Sequence, residues 1–290
     1  MGITMRRLMP VKTGRISPRM LLTALGVSGA LVVWMVYFQY GGNPTDALAY
    51  YSTNAAAPYQ PGPFQFAYPP VAIQALAPLL GLPFNAFVAL LRAAELAALV
   101  LLTGPATIVA LFLPPVAAEI NAANINLLLA VAVVGGFRWP VLWSVLLVTK
   151  PSAGVILLWP LVRREWRRLA IAIAPAAIVS IVSFALQPHV WLDWLAYLPG
   201  FGDTPGWPFP IPIWPRLPFA IVLVIWGARS DRQWIAVLGT ILAWPRLYFL
   251  SIALLVALLP PLAHAPLTAR IRRLLGGTPR VWVESPRSNE

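Results

Sequence analysis

Residues 20–70 read MLLTALGVSGALVVWMVYFQYGGNPTDALAYYSTNAAAPYQPGPFQFAYPP, a long apolar run followed by a loop rich in prolines and aromatic residues. A membrane-crossing helix needs about 20 mainly apolar residues, so the run at 20–40 predicts a membrane helix. The loop holds Asp46, which is the only charged side chain between Arg19 and Arg92. A lone carboxylate beside a membrane is suited to acid–base chemistry, so Asp46 is a candidate catalytic base. A helix N-cap or a loop turn is the alternative role.

The whole chain has the composition of a multi-pass membrane protein. Of its 290 residues, 59% are hydrophobic and 10% are charged, against about 25% charged residues in a typical soluble domain. Recurring apolar runs predict an all-α, polytopic membrane helix bundle of about ten transmembrane helices. The predicted spans are 20–40, 84–102, 105–119, 124–137, 139–149, 151–162, 168–187, 216–228, 233–244 and 246–263. Residues 70–83 are predicted to form a half-length re-entrant or surface helix.

The basic residues predict the orientation in the membrane. They occur in short clusters between apolar runs, a pattern typical of membrane topology and not of nucleic-acid binding, so no nucleic-acid partner is expected. With the N-terminus inside, ten crossings leave all basic residues inside except Arg92, Lys150, Arg216 and Arg246. We therefore predict a basic cytoplasmic N-terminus at 1–19, one transmembrane domain at 20–263 and a basic cytoplasmic tail at 264–290. The expected location is a bacterial inner (plasma) membrane, with both termini cytoplasmic and membrane lipids as partners.

This orientation gathers most of the remaining polar residues on the outer face. They are Asp46, Glu119, Asn121, Asn124, Asn126, Lys150, Arg246 and Tyr248, together with the outer loops at 41–70 and 188–215. Ionisable groups at membrane depth are costly, so their convergence on one face indicates a functional site. The loop at 188–215 is too rich in proline for regular structure, which marks it as functional or disordered. Its tryptophans are suited either to stacking on sugar rings or to the aromatic belt at the interface, and Trp191 and Trp194 are interpreted as belt residues.

The segment at 119–126 reads EINAANIN and lies at a turn between two apolar runs. Its carboxylate and three amides are suited to paired hydrogen bonds with sugar hydroxyls. Helix capping by the asparagines is the equally weighted alternative, although Glu119 is not needed for any cap.

Two cations stand out on the predicted outer face, Lys150 before Pro151 and Arg246 in WPRLY. Both are candidates for phosphate binding, and snorkelling to the interface is the alternative for each. Arg92 and Glu95 are three residues apart on one helix and are predicted to neutralise each other.

The sequence makes a metal site of the common kinds improbable. It has no cysteine and only two histidines, so neither a thiolate nor a His-based metal site is expected. A divalent ion held by Asp46 and Glu119 is the alternative that the sequence leaves open, and no cofactor is required.

The order of several short motifs resembles the bacterial polyprenol-phosphate-dependent glycosyltransferases of family 87, in the GT-C superfamily. The motifs are Asp46 and Tyr50 after the first helix, Tyr68-Pro69-Pro70, Ala123-Asn124-Ile125-Asn126, Lys150-Pro151 and Trp244-Pro245-Arg246-Leu247-Tyr248. The likeness spans residues 20–263. The third motif usually reads Gly-Gln-x-Asn in that family, so here Asn126 matches while Ala123 and Asn124 depart from the pattern.

The resemblance implies a GT-C-like transferase that moves mannose or arabinofuranose from a polyprenyl-phosphate donor to a glycolipid or cell-wall glycan acceptor, with inversion. Asp46 matches the family's general base. The residues expected to bind substrate are Tyr50, Tyr68, Glu119, Asn124, Asn126, Lys150, Arg246 and Tyr248. A transporter or flippase of lipid-linked sugars is the alternative, although the paired repeats typical of transporters are not seen. A truncated, inactive member is the other alternative, because the chain is shorter than is usual for the family.

Overall fold

The computed structural model describes residues 26–29, 44–54, 57–59, 66–202 and 211–262. The predicted tails at 1–19 and 264–290, and most of the predicted first span at 20–40, lie outside the described residues. Within the described ranges all regular secondary structure is helical. The all-α prediction is therefore confirmed for this part of the chain.

Most of the helices are short, and several are followed or preceded by 3-10 segments. After a helical stretch at 26–29, the α-helices are α1 (Thr45–Ser52), α2 (Pro70–Leu76), α3 (Phe84–Thr103), α4 (Thr107–Leu111), α5 (Pro114–Ala122), α6 (Asn126–Gly135), α7 (Trp143–Thr149), α8 (Leu158–Val162), α9 (Trp166–Leu186), α10 (Pro188–Gly202), α11 (Ile213–Arg229), α12 (Gln233–Leu242) and α13 (Leu259–Leu262). The 3-10 segments are Ala77–Gly81, Gly104–Ala106, Pro140–Leu142, Pro151–Leu157 and Leu250–Leu258.

Two helices of the described residues, α3 and α9, are long and apolar enough to cross a membrane. The chain bends by 110° between α5 and α6, and this pair would make a third crossing if it is one broken span. These helices support a membrane protein, and the ten-span bundle is not confirmed. The predicted spans at 84–102 and 168–187 match α3 and α9 within two residues at each end.

Prolines divide the apolar runs that the sequence presents as continuous. The predicted span at 105–119 is broken at Leu113, which has φ −72° and ψ 118° ahead of Pro114. Lys150 likewise leaves the helix, with φ −132° and ψ 78° ahead of Pro151. A residue before proline avoids the α conformation because the proline ring clashes with it. The breaks turn apolar runs into short helices whose ends carry the polar residues.

The prediction of an irregular loop at 188–215 is wrong for its first half. Residues Pro188–Gly202 form α10, and α11 begins at Ile213. Proline is tolerated in the first turn of a helix, where its missing N–H has no helical partner, so Pro188 starts α10 rather than preventing it. Trp194 of α10 is buried at 9% exposure, which also corrects its interpretation as a belt residue.

The helices α11 and α12 form a closely packed antiparallel pair. A Cβ at Gly227 would lie 2.8 Å from the backbone nitrogen of Ala236, and one at Gly239 would lie 2.8 Å from the carbonyl oxygen of Ala220. A side chain at either position would clash with the neighbouring backbone, so glycine at both positions allows the two helices to pack closely.

Two arginines inside the bundle hold helix ends in place. The buried guanidinium of Arg216 donates to the carbonyl oxygens of Leu242 (2.7 Å) and Pro245 (3.1 Å), so it fixes the segment that follows α12. Arg92 donates to the carbonyl oxygen of Asn121 at 2.7 Å, at the C-terminal end of α5.

Candidate functional site

One cavity collects nearly all the residues that the sequence selects. Its volume is about 580 Å³. Eight of the nine predicted site residues line it, namely Asp46, Tyr50, Tyr68, Asn124, Asn126, Lys150, Arg246 and Tyr248. The ninth, Glu119, is fully buried behind the cavity wall. Residues as far apart in the chain as Asp46 and Tyr248 therefore meet at one site.

The predicted site residues that line the cavity come from helix ends or from breaks between helices, whereas Trp194 comes from the middle of α10. Asp46 lies in the first turn of α1, and Asn126 is the first residue of α6. Lys150 occupies the break after α7, and Arg246 and Tyr248 lie between α12 and the segment Leu250–Leu258. The proline-induced breaks thus place polar side chains at one end of an otherwise apolar bundle.

Asp46 does not cap α1. The N-cap residue is Pro44, and no side chain makes a capping hydrogen bond at this helix. The carboxyl is half-buried and lines the cavity. Burial raises the pKa of Asp46 from 3.8 to about 6, and the positive charge of Lys150 partly opposes this rise. A carboxylate with such a pKa accepts a proton more readily than an ordinary aspartate and is still ionised at neutral pH.

Glu119 is the origin of a hydrogen-bond network behind the cavity. Its Oε1 accepts the backbone N–H of Asn126 at 2.8 Å. Its Oε2 accepts the side-chain amides of Asn124 at 3.3 Å and Asn126 at 3.1 Å. Oε2 is the acceptor in both side-chain bonds, so each amide presents its NH₂ group to Glu119 and turns its oxygen away.

The first arm of the network passes through Asn124 to two tyrosines. The hydroxyl of Tyr50 donates to Oδ1 of Asn124 at 2.7 Å, and the hydroxyls of Tyr50 and Tyr68 lie 3.0 Å apart. Since the single proton of Tyr50 goes to Asn124, the bond between the tyrosines has Tyr68 as donor. The arm therefore fixes the rings that form one side of the cavity beside Asp46.

The second arm passes through Asn126 to Lys150. Oδ1 of Asn126 accepts from Nζ of Lys150 at 2.7 Å and from Nε1 of Trp244 at 3.1 Å. The ammonium group of Lys150 also lies over two aromatic rings. Its Nζ is 5.5 Å from the ring centroid of Tyr68 and 4.9 Å from that of Trp244. One of three N–H donors of Lys150 is used by Asn126, which leaves two for a ligand in the cavity.

Arg246 is the second cation at the cavity. Its Nη1 donates to the hydroxyl of Tyr248 at 3.2 Å. The carbonyl oxygen of the preceding Pro245 accepts from Arg216, so the buried arginine positions the exposed end of this segment. The cavity thus presents a carboxyl group and two cations to a common volume.

Glu119 stabilises the start of α6 although the N-cap residue of that helix is Ile125. Its carboxylate satisfies the N–H of the first residue of α6, which has no partner within that helix. The turn between α5 and α6 brings this about, because Ala123 takes the left-handed conformation with φ 51° and ψ 51°. That conformation favours glycine, the residue usual at this position of the Gly-Gln-x-Asn motif.

Some lining residues were not selected from the sequence. Trp194 of α10 and Trp214 of α11 form part of the wall, as do Thr149, Ser152 and Ser251. The proline-rich segment gives no signal that distinguishes Trp194 from Trp191, whose Nε1 instead donates to Ser183 at 2.9 Å. Burial of Trp194 is a consequence of how α10 packs and is set by tertiary contacts.

The described residues contain no group of three or more His, Cys, Asp or Glu side chains that would hold a metal ion. The chemistry available in this part of the chain is that of Asp46 with Lys150 and Arg246. A carboxylate can take a proton from a bound hydroxyl, while the cations stabilise negative charge that develops on a leaving group.

The basic cluster predicted to be cytoplasmic is at the opposite end of α11 from the cavity. Arg163 pairs with Glu165 and Asp231 at 2.8 Å each, and Arg168 pairs with Glu165 at 3.0 Å. Ile213, the first residue of α11, lines the cavity, whereas Arg229, the last residue of α11, adjoins the basic cluster. A 17-residue helix is about 25 Å long, close to the hydrocarbon thickness of a bilayer.

Comparison with known proteins gives one match. No curated protein and no solved structure matches the chain. The sequence model of glycosyltransferase family 87 matches residues 66–286. The match covers more than half of the chain and includes Tyr68, Glu119, Asn124, Asn126, Lys150, Arg246 and Tyr248, and it begins after Asp46 and Tyr50. The chain therefore belongs to glycosyltransferase family 87.

Proposed function

We propose that this glycosyltransferase moves mannose or arabinofuranose from a polyprenyl-phosphate donor to a hydroxyl of a glycolipid or cell-wall glycan. The observation that carries the proposal is the shared cavity, which Asp46 lines together with Lys150 and Arg246. The family supplies the transferase activity. The choice of a phosphate leaving group follows from the two cations, which are suited to an anion at this site.

The proposed reaction is a single displacement at the anomeric carbon. The carboxylate of Asp46 takes the proton of the acceptor hydroxyl as its oxygen forms the new glycosidic bond. The bond between the anomeric carbon and the phosphate oxygen breaks, and its electron pair leaves with polyprenyl phosphate. Attack and departure on opposite sides of the ring invert the configuration. Lys150 and Arg246 stabilise the second negative charge that the phosphate gains.

We further propose that the cavity opens on the outer face of a bacterial plasma membrane, with both termini in the cytoplasm. The positive-inside rule supports this orientation, because the cluster around Arg163 and the cavity lie at opposite ends of α11. A donor anchored in the outer leaflet would present its phosphate at the level of Lys150.

The test is transfer of labelled sugar by the purified protein in lipid vesicles, from polyprenyl-phosphate mannose and from polyprenyl-phosphate arabinose separately. Transfer from either donor to a glycolipid acceptor, with release of polyprenyl phosphate, is the expected result. Movement of intact donor across the vesicle membrane without loss of its sugar would instead support a flippase. A folded protein that does neither would be an inactive family member.

The pH dependence of transfer should report the ionisation of Asp46. The base acts only as a carboxylate, so kcat/KM should fall about tenfold per pH unit below an apparent pKa near 6. Because the positive charge of Lys150 lowers the pKa of Asp46, the variant Lys150→Met should move this midpoint to higher pH. A profile that is flat between about pH 5 and 8 would exclude Asp46 as the base.

Glu119 should act as a positioning residue through Asn126. In the variant Glu119→Gln, an amide NH₂ group replaces one of the two accepting oxygens. This NH₂ group needs an acceptor, which is Oδ1 of Asn126, so the amide of Asn126 turns over and directs its own NH₂ group towards Lys150. We expect transfer to fall about tenfold to a hundredfold, as for a buried polar group left without its partner.

A double-mutant cycle with Lys150→Met separates positioning from a general loss of structure. If Glu119 acts through Lys150, Glu119→Gln should add little to the loss caused by Lys150→Met alone. Additive losses would show that Glu119 does not work by way of the lysine.

A further inference from the structure

Glu95 carries a buried carboxyl group that has no part in the proposed reaction. It lies within α3, and its exposed fraction is 0%. Within the described part of the chain, no donor reaches either of its side-chain oxygens with normal hydrogen-bond geometry. The backbone N–H of Leu127 faces the carboxyl group without completing such a bond. An ionised carboxylate is strongly destabilised in these surroundings, so the neutral, protonated form is the one that fits.

The polar neighbour of Glu95 is the carboxyl group of Glu119. Arg92, three residues before Glu95 on α3, donates to the carbonyl oxygens of Ile120 at 3.2 Å and Asn121 at 2.7 Å. These bonds fasten α3 against the end of α5, and the side chains of Glu95 and Glu119 lie within hydrogen-bonding range of each other. Carboxylates only accept hydrogen bonds, so a bond between these two groups requires a proton on one of them.

The proton belongs to Glu95, because Glu119 is already surrounded by donors. The oxygens of Glu119 accept three N–H groups, which are the backbone N–H of Asn126 and the side-chain amides of Asn124 and Asn126. Hydrogen bonds of this kind favour the ionised form of a carboxyl group, whereas Glu95 has none of them. Two buried carboxyl groups in contact also repel each other strongly if both are ionised.

The charges around this pair accommodate one negative charge rather than two. Four other ionisable groups interact electrostatically with the pair, namely Asp46, Tyr50, Tyr68 and Lys150. The ammonium group of Lys150 is held by Asn126 and balances the single charge of Glu119. A second charge, on Glu95, would act together with that of Asp46 and repel a phosphate from the cavity.

We propose that Glu95 is protonated at neutral pH and donates a hydrogen bond to Glu119, which makes Glu95 a positioning residue for the cavity. Its O–H group holds the carboxylate of Glu119 in the orientation that accepts the amides of Asn124 and Asn126. Asn126 then directs its oxygen to Lys150. The effect on transfer rests on the proposed function, whereas the protonation of Glu95 does not.

The proton is tested by infrared spectroscopy of the purified protein in lipid vesicles, without substrate, at about pH 8, where Asp46 with its pKa of about 6 is ionised. The wild type should show the C=O band of a protonated carboxylic acid, and Glu95→Gln should lose this band because glutamine has no acidic proton. The matched control Glu165→Gln should keep it, since Glu165 is ion-paired with Arg163 and Arg168. Identical spectra of the wild type and Glu95→Gln in this region would overturn the proposal.

The positioning role is tested by sugar transfer. Glu95→Gln keeps a donor towards Glu119, whereas Glu95→Leu fills a similar volume without one. Transfer by the leucine variant should fall about tenfold, as for a lost hydrogen bond to a buried charged group, and the glutamine variant should recover most of the wild-type rate. Equal transfer by the two variants, whether high or low, would overturn the positioning role. If the wild type transfers no sugar, the proposed function fails, and the infrared comparison still decides whether Glu95 carries the proton.

Discussion

Replacement of Asp46 by asparagine should reduce sugar transfer by about 10²–10⁴-fold, the contribution typical of a general base. Asparagine has nearly the shape of aspartate but cannot accept a proton, so kcat should carry the loss and the KM values should change little. The measurement is kcat and KM for labelled donor in vesicles at about pH 7.5, where the base is ionised. The control is Asp193→Asn, which removes an exposed carboxylate of α10 that does not line the cavity.

The same substitution should make the protein more stable. Burial that raises the pKa of Asp46 from 3.8 to about 6 means that the folded state binds the proton more tightly than the unfolded state. Ionised Asp46 therefore lowers the free energy of unfolding as the pH rises from about 4 to 6, by up to about 3 kcal/mol above pH 6. The asparagine side chain carries no charge, so the apparent melting temperature of the variant in detergent at neutral pH should rise.

The two readouts together distinguish catalysis from folding. Loss of transfer with a raised melting temperature supports a base held in an unfavourable environment. Loss of transfer with a lowered melting temperature would mean that Asp46 supports the structure of α1. Full transfer would remove Asp46 from the chemistry and leave the family membership untouched.

The residues selected from the sequence lie around one cavity because polar groups are scarce in this chain. Asp46 is the only charged residue between Arg19 and Arg92, and Lys150 and Arg246 depart from the positive-inside pattern. In an apolar bundle such groups have few places to lie, so they converge on one cavity. The position of each of these side chains relative to its neighbours could not be predicted from the scarcity of polar groups, because it depends on backbone geometry.

Glu119 illustrates that limit. Its place behind the cavity depends on the left-handed turn at Ala123 and on the 110° bend between α5 and α6. A hydropathy pattern does not encode either feature. The same holds for the number of spans, because prolines such as Pro114 and Pro151 end helices inside apolar runs that are otherwise continuous.

Replacement of Lys150 by methionine should reduce kcat by about 10²–10³-fold, the loss seen when one preorganised donor to a developing anion is removed. In the proposed reaction the donor phosphodiester carries one negative charge, and the departing polyprenyl phosphate carries two. Lys150 therefore stabilises the transition state more than the bound donor, so kcat should fall more than the KM for donor rises. Methionine preserves the unbranched apolar stem, and the ring faces of Tyr68 and Trp244 still accommodate it.

The matched control is Arg229→Met, which removes a cation from the far end of α11 and should leave kcat unchanged. Lys150→Arg keeps the charge but places it on a longer, planar group, so it should recover part of the activity. A rise in KM with kcat unchanged would show that Lys150 only binds the donor, because stabilisation of the leaving phosphate must appear in kcat. In that case Arg246 would be the remaining cation at the cavity to stabilise the departing phosphate, and Arg246→Met should then lower kcat while Lys150→Met does not.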